Sequence, residues 1–367
     1  MTKKPSQFFL FFFLLTLLFV VGCSSDASLE SGELAEGGQE PAENAEPLET
    51  STPSVSPEVA TATLPGVVIV SNSNLEAVEP ETDTEPEQSL EADHSETATL
   101  AQTVWQQDQI PAGSKFGRFL HEGEIWLGLV LNDGTVQRLE GDLFEAVTLT
   151  DQVVPLDQLK TLAPVLPSKI IAIGLNYRSH AGEAGAGAPG LFSKFPNSLA
   201  GPDDPIWLFP ESDNTHYEGE LVIVIGKQAH NVTEADAPNY IFGVTAGNDI
   251  TERTWQQTDL QWIRAKASDS FAPLGPYIVT GLNYNDLLVQ TRVNGVTTQS
   301  ESSASLIHSV DKIVSYTSRY ITLEPGDVIY TGTPGRTGAM SAGDVIEVEV
   351  EGVGVLRNTA QPWNPDH

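Results

Sequence analysis

Apolar positions fall into three textures along this chain. The first is an unbroken run from Phe8 to Leu15 that resumes after Thr16 and ends at Val21. The second, from Ser24 to Thr103, is nearly bare of large apolar residues, apart from Val67-Val-Ile-Val70. The third begins near Val104, where short apolar runs alternate with turn residues. There, residues 124–131 (Glu-Ile-Trp-Leu-Gly-Leu-Val-Leu) predict a strand, Asn132-Asp133-Gly134 a hairpin turn and Thr135–Leu139 the returning strand. Residues 156–167 are irregular and interrupted by proline, and mark a boundary between a small β module (104–165) and a larger unit (166–362).

In the larger unit, Lys169–Gly174 and Glu220–Gly226 are short continuous apolar runs of the kind that fill sheet interiors. Pro325-Gly-Asp-Val-Ile-Tyr330 and Gly343-Asp-Val-Ile-Glu-Val-Glu-Val350 repeat a turn-then-strand pattern. In the second, Glu347 and Glu349 alternate with valines, so one face is wet. Helical signals are few: Thr233-Glu-Ala-Asp236 has capping-box spacing with Asp in the last position, and Thr251 to about Ile263 reads as a second helix. The pattern predicts a mixed, β-rich α+β fold, rolled or barrel-like, without solenoid repeats.

The first texture, behind Lys3 and Lys4, is 14 residues long including Thr16, short of the roughly 20 that a membrane span needs and suited to the core of a secretory signal. Its end, Val20-Val21-Gly22-Cys23, resembles the lipobox of a bacterial lipoprotein precursor. That resemblance implies removal of residues 1–22, lipid on Cys23, and a protein anchored to a membrane on its extracytoplasmic side. Cys23 is the one cysteine of the chain, so no disulfide forms within it.

The second texture (residues 23–103) carries 18 of the 50 acidic residues and neither Lys nor Arg. Like charges and little apolar surface predict a disordered tether that holds the C-terminal two-thirds of the chain about 50 Å from a membrane. It accounts for more than half of the formal net charge of −32. The remainder is still acidic, which excludes nucleic acid as a partner.

Three strings carry candidate chemistry. In a strand, residues i and i+2 share a face, so Glu218 and Glu220 project together about 6–7 Å apart, with the intervening Gly219 adding no bulk on the other face. Asp249, after the turn-like Ala246-Gly247-Asn248, offers a third oxygen ligand. An all-carboxylate set favours Mg²⁺ or Mn²⁺, and also suits Ca²⁺, over Zn²⁺. His180 and Glu183 lie one helical turn apart if Ser179 onward is helical, so a carboxylate-oriented imidazole is expected there. Ala184-Gly-Ala-Gly-Ala-Pro-Gly190 then reads as the hinge of a lid. Arg253, Gln256 and Lys266 are donors for a substrate carboxylate, and Thr331-Gly-Thr-Pro334 offers donors in a tight turn.

These strings, together with Ile173-Gly-Leu-Asn-Tyr-Arg-Ser-His180, Lys194, Gly247-Asn-Asp249-Ile-Thr-Glu-Arg253, Lys266-Ala-Ser-Asp269, Pro273-Leu-Gly-Pro276, Gln299 and Pro325–Pro334, resemble the fumarylacetoacetate hydrolase family from about Lys169 to Leu356. Residues 115–160 are similar, more loosely, to the small N-terminal β module of its bacterial members. The resemblance implies a β-roll catalytic domain, usually a homodimer. It also implies a divalent metal on Glu218, Glu220 and Asp249, a His180–Glu183 pair, and a substrate site lined by Arg253, Gln256, Lys266 and Thr333.

The implied reaction is metal-dependent cleavage of a C–C bond in a 2,4-dioxo acid or related 2-oxo acid. The alternatives are isomerisation or decarboxylation of an unsaturated hydroxy-diacid, or ligand binding without turnover on a surface lipoprotein. The chain departs from the family in its export signal and in Gly335-Arg-Thr-Gly338, where Gly-x-Gly is common; the second departure bears on the substrate pocket.

Overall fold

The computed structural model describes residues 103–366; the apolar N-terminal run, Cys23, Val67–Val70 and the acidic stretch lie outside the described residues. The backbone of the fold is a mixed sheet. It starts with Val104–Gln106, Ala146–Pro155, Thr135–Asp142, Glu124–Val130 and Lys115–His121. It continues through Ala272–Val279, Ile241–Asn248 and Gly219–Ile225, and ends with Val328–Tyr330, Ile170–Gly174 and Gly190–Lys194. The predicted hairpin is present, with Val130 opposite Val136 and the turn at Gly134 in the left-handed region (φ 83°) that glycine adopts freely. The mixed, sheet-rich fold is the expected one.

The irregular stretch after Pro155 contains a short strand, Lys160–Leu162, that pairs with Lys115–His121. That strand in turn pairs with Ala272–Val279, placing Phe116 opposite Ile278. The N-terminal β segment and the larger unit therefore share one sheet. A second sheet orders Pro205–Leu208, Gly354–Pro362, Val345–Val350, Leu288–Val293 and Val296–Ser302.

Gly219–Ile225 is the pivot between these layers. Leu221, Ile223 and Ile225 pack into a core with Val289, Val348, Val350 and Leu356, while Val222 and Val224 join Phe116, Ile278 and Tyr330 on the other face. A strand buried on both faces has no reason to alternate, which explains its continuous apolar run. Val345–Val350 does alternate: Glu347 and Glu349 sit on its wetter face, where Arg292 pairs with both (3.0 and 2.6 Å).

The α-helices among the described residues are short: α1 (Arg178–Ala181), α2 (Arg253–Thr258), α3 (Ile263–Ala267) and α4 (Val310–Tyr320). No described helix is long and apolar enough to cross a membrane. The single helix expected over Thr251–Ile263 is instead a two-residue strand, α2, a break, and the start of α3. Glu252 caps α2 by accepting from Trp255 N (2.6 Å), and Asp259 ends that helix and takes a bidentate contact from Arg264.

At Thr233–Asp236 the Thr233 hydroxyl accepts from Asp236 N (3.2 Å) and donates to Asp236 Oδ2 (2.7 Å), so the reciprocal backbone bond of a capping box is replaced by a side-chain one, and only a 3₁₀ turn, Ala237–Tyr240, follows. Helix α4 was not anticipated, although Val310, Ile313, Val314 and Thr317 follow the i, i+3, i+4, i+7 spacing of a buried face.

Candidate active site

Antiparallel pairing builds the centre of the site. Gly219 pairs with Asn248 and Glu220 with Gly247, so Asp249, one residue past its strand, lies beside Glu218. Backbone and side chain lock this junction: Asp249 N donates to Glu218 O (2.8 Å), and Glu218 N donates to Asn248 Oδ1 (2.8 Å). Position 219 admits nothing larger than glycine, because a Cβ there would lie 2.0 Å from Thr291 Oγ1 and 3.2 Å from Val348 of the second sheet. Glu218, Glu220 and Asp249 are all buried, and each offers an oxygen within 4.8 Å of the others.

Three cations surround them. Lys266 Nζ donates to Glu218 Oε2 (2.7 Å) and Asp249 Oδ2 (2.5 Å). Arg253 Nη2 donates to Glu218 Oε1, while its Nη1 holds Gln256 Oε1 (2.9 Å). Lys194, wholly buried, lies 2.7 Å from Asp249 Oδ1 and also donates to the carbonyls of Ile250, Lys266 and Phe271. Burial raises the Glu218 carboxyl, but Lys266 and Arg253 outweigh it and hold that group well below the carboxylate range. Burial likewise lowers Lys266, and Asp249 and Glu218 reverse the effect. For Lys194 burial wins, and its ammonium is pushed down to about 8.

Glu220 is the exception. Burial, reinforced by Asp249 and Glu218, raises its carboxyl well above the ordinary range. It accepts a hydrogen bond from Gly332 N (2.7 Å), and among the described residues no lysine or arginine forms an ion pair with it. A buried carboxyl in that position holds a proton or awaits a cation. The all-oxygen donor set of Glu218, Glu220 and Asp249 therefore fits a hard divalent ion.

The acid–base pair differs from its expected form. Helix α1 stops at Ala181, and Gly182 adopts φ 58°, which turns the chain away from the helical path. Glu183 consequently points to solvent, its side chain 95% exposed and 3.8 Å from Arg178, and the His180–Glu183 contact is not made. His180 instead places Nδ1 2.8 Å from Gly335 O. A carbonyl only accepts, so Nδ1 carries hydrogen there and Nε2 faces Glu218 Oε1 at 3.8 Å.

This geometry has counterparts among known proteins. Residues 169–361 match the model of the fumarylacetoacetate (FAA) hydrolase C-terminal domain, which spans more than half of the chain. The chain belongs to the fumarylacetoacetate hydrolase family. Residues 114–164 match a second model, described as Rv2993c-like, N-terminal. A protein of Archaeoglobus fulgidus is 46% identical over 247 residues, covering 66% of this chain and 95% of that one. Oxaloacetate tautomerase fahd2 of Xenopus laevis is 35% identical over 58% of this chain and 72% of its own. The crystal structure of 2-hydroxyhepta-2,4-diene-1,7-dioate isomerase from Mycobacterium marinum, 36% identical, superposes with a TM-score of 0.64 over 68% of this chain and 98% of that one. Fumarylacetoacetate hydrolase family members thus include a tautomerase and an isomerase by name.

In this family member, a cavity of about 340 Å³ is lined by Glu218, Glu220 and Asp249 and by Leu175, Phe192 and Trp262. His180, Arg253, Gln256, Lys266 and Thr333 also line it; Glu183 does not. Thr333 Oγ1 donates to Gly219 O (2.9 Å) and accepts from Gln299 Nε2 (2.8 Å), bracing the strand end that carries the glutamates.

The departure at 335–338 touches the site directly. Gly335 anchors His180, and Thr337 Oγ1 contacts both Arg253 Nη2 (3.0 Å) and His216 Nδ1 (2.8 Å). No motif singles out His216; its two-residue strand pairs with Thr251–Glu252, a pairing that local sequence does not announce. Lys194 stands alone in the sequence, and the fold shows its place: buried at the end of an otherwise partly exposed strand, it meets three carbonyls and a carboxylate.

Proposed function

We propose that this protein is a divalent-metal-dependent enzyme acting on 2-oxo acids, with proton transfer at C3 as its central step, leading to tautomerisation or double-bond isomerisation. The placement of His180 carries this reading. Pinned through Nδ1 to Gly335 O, it directs Nε2 at the carboxylate cluster with no carboxylate behind it. An imidazole whose Nε2 is free to accept suits removal of a proton from a carbon acidified by an adjacent 2-oxo group.

A divalent ion held by Glu218, Glu220 and Asp249 would supply Lewis acidity to the substrate's carboxylate and 2-oxo oxygens. His180 Nε2 takes the C3 proton, the C–H electron pair moves into the 2-oxo group, and the imidazolium returns the proton to oxygen or to a more distant carbon. Arg253, Gln256, Lys266 and Thr333 border the cavity as donors. Arg253 and Lys266 also keep Glu218 ionised. The tautomerase and isomerase names of the relatives support this order of preference.

A second reading is hydrolytic C–C cleavage of a 2,4-dioxo acid. It is favoured by the position of Glu183 immediately after Gly182, where a Cβ would meet open space, so the segment has room to close and restore a His–Glu pair. It draws further support from the crystal structure of maleylpyruvate hydrolase from a Sphingobium species, 27% identical with a TM-score of 0.58.

The deciding experiment is proton NMR in D₂O with Mg²⁺ or Mn²⁺. Enzyme-dependent exchange of C3 hydrogens in 2-oxo acids that lack a cleavable acyl bond is the expected result. Cleavage of acylpyruvates with no such exchange would hand the function to the hydrolytic reading.

A further inference from the structure

The cavity wall changes character over a short distance. Lys266 Nζ, 2.7 Å from Glu218 Oε2, also stands 4.7 Å from the centre of the Phe192 ring. Phe192 in turn meets Trp262 edge to face, with ring centres 5.6 Å apart and planes at 75°. From the carboxylates outward, the lining thus passes from ionised groups to aromatic rings in two contacts, with Ile173 and Leu175 alongside. The lining cations stay at the carboxylate end, Lys266 on Glu218 and Asp249 and Arg253 on Glu218, and the His180 imidazole faces the same glutamate.

Past the rings lies a second cavity of about 310 Å³, which shares Phe192 and Trp262 and is otherwise lined by Leu191, Ser193, Leu260, Gln261 and Ile263, none of them charged. Leu260 is 96% exposed and Ile263 53%. Solitary exposed apolar residues are ordinary, but here they flank the Phe192–Trp262 pair that also lines the site.

We infer that the end of the substrate remote from its 2-oxo acid head is an uncharged apolar chain, and that the Phe192–Trp262 pair sets how long that chain can be. The inference rests on the proposed 2-oxo acid reading. With the head drawn to the carboxylates and their cations, the tail runs along Leu175 and Phe192 until it meets Trp262. A second carboxylate at that end would lie against rings, where its desolvation is not offset by a cation. Arg264, next to Ile263 in the chain, is held by Asp259 and stands over the Trp255 ring, and neither it nor the exposed Arg336 lines either cavity.

The test is binding, measured by calorimetry on the full Mn²⁺-loaded chain, for the straight series from pyruvate to 2-oxooctanoate and for 2-oxoglutarate. Affinity should rise by up to about fourfold per added methylene, the worth of burying one such group, and then level off where the tail reaches the rings. 2-Oxopentanoate should bind at least tenfold more tightly than 2-oxoglutarate, which has the same chain length.

In Trp262→Ala, shown to be folded by its melting curve, levelling-off should move to longer acids; Trp262→Phe should move it less. A flat series, tighter binding of 2-oxoglutarate, or an unmoved cut-off in Trp262→Ala overturns the inference while leaving the proposed function intact. If Mn²⁺ binds but pyruvate and every longer acid do not, the 2-oxo acid reading itself falls and takes the inference with it.

Discussion

Two regions border the same cavity and are built in opposite ways. Glu218, Glu220 and Asp249 hang from the paired ends of two central strands, buried and held by backbone hydrogen bonds. The stretch from His180 to Gly190 is a single helical turn followed by a 3₁₀ turn and glycine-rich chain, with Glu183 in solvent. Charges that must stay close despite mutual repulsion sit where the sheet cannot yield. The histidine proposed to move protons sits on a short turn that leads into glycine-rich chain. Placing the carboxylates on the stiffer element keeps that half of the site preorganised.

The contrast is open to direct attack, and the largest effect belongs to the rigid half. Glu220→Ala should abolish measurable Mn²⁺ binding in calorimetry; binding as tight as the parent's would locate the metal elsewhere. On the other side, His180→Ala should lower turnover by about 10²–10⁴-fold, the usual contribution of a positioned acid–base group, while Mn²⁺ affinity stays close to the parent value.

A third prediction concerns pH. Because the metal-free Glu220 carboxyl is raised, folding favours its protonated form, so the stability it contributes is lost as pH rises through that raised value. A cation needs the ionised form. Mn²⁺ affinity should therefore fall by up to tenfold per unit as pH drops below the same value, with a proton released on binding. Calorimetry in buffers of differing ionisation enthalpy measures that proton, and pH-independent affinity would show Glu220 already ionised.

The smallest effect should come from Glu183→Gln, with C3 exchange within about threefold of the parent. A loss of a hundredfold or more would mean that the loop closes in every turnover and that Glu183 reaches His180 after all.

Legibility in the sequence followed the same division. Wherever the backbone is a regular strand, i and i+2 share a face whatever the surroundings, so the pairing of Glu218 with Glu220 and the need for a small residue at 219 could be read directly. Even so, the obstacle on the far side of Gly219, Thr291, is a tertiary fact. The expected His180–Glu183 contact assumed that the helix would continue, but it stops at a glycine with positive φ two residues after the histidine.

The helix expected over Thr251–Ile263 failed for a related reason. Asp259 ends α2 and is held by Arg264 of α3, a contact that the expected single helix left out. Helix α4 is the reverse case: its buried-face spacing was there to be found. What no local pattern could supply is convergence, which brings Lys194, His216 and Thr337 from separated segments onto the same few ångströms.

The continuous sheet has an implication for trimming this protein. The strand Lys115–His121 meets Ala272–Val279, which pairs with Ile241–Asn248, the strand leading into Asp249. Excising residues 104–165 would leave backbone groups near Ile278 and Val279 without their neighbours, and would empty the place of Phe116 beneath Val222 and Val224. The cut fragment would carry every ligand of the site and a raw, sticky margin close to the strand of the glutamates, an invitation to self-association.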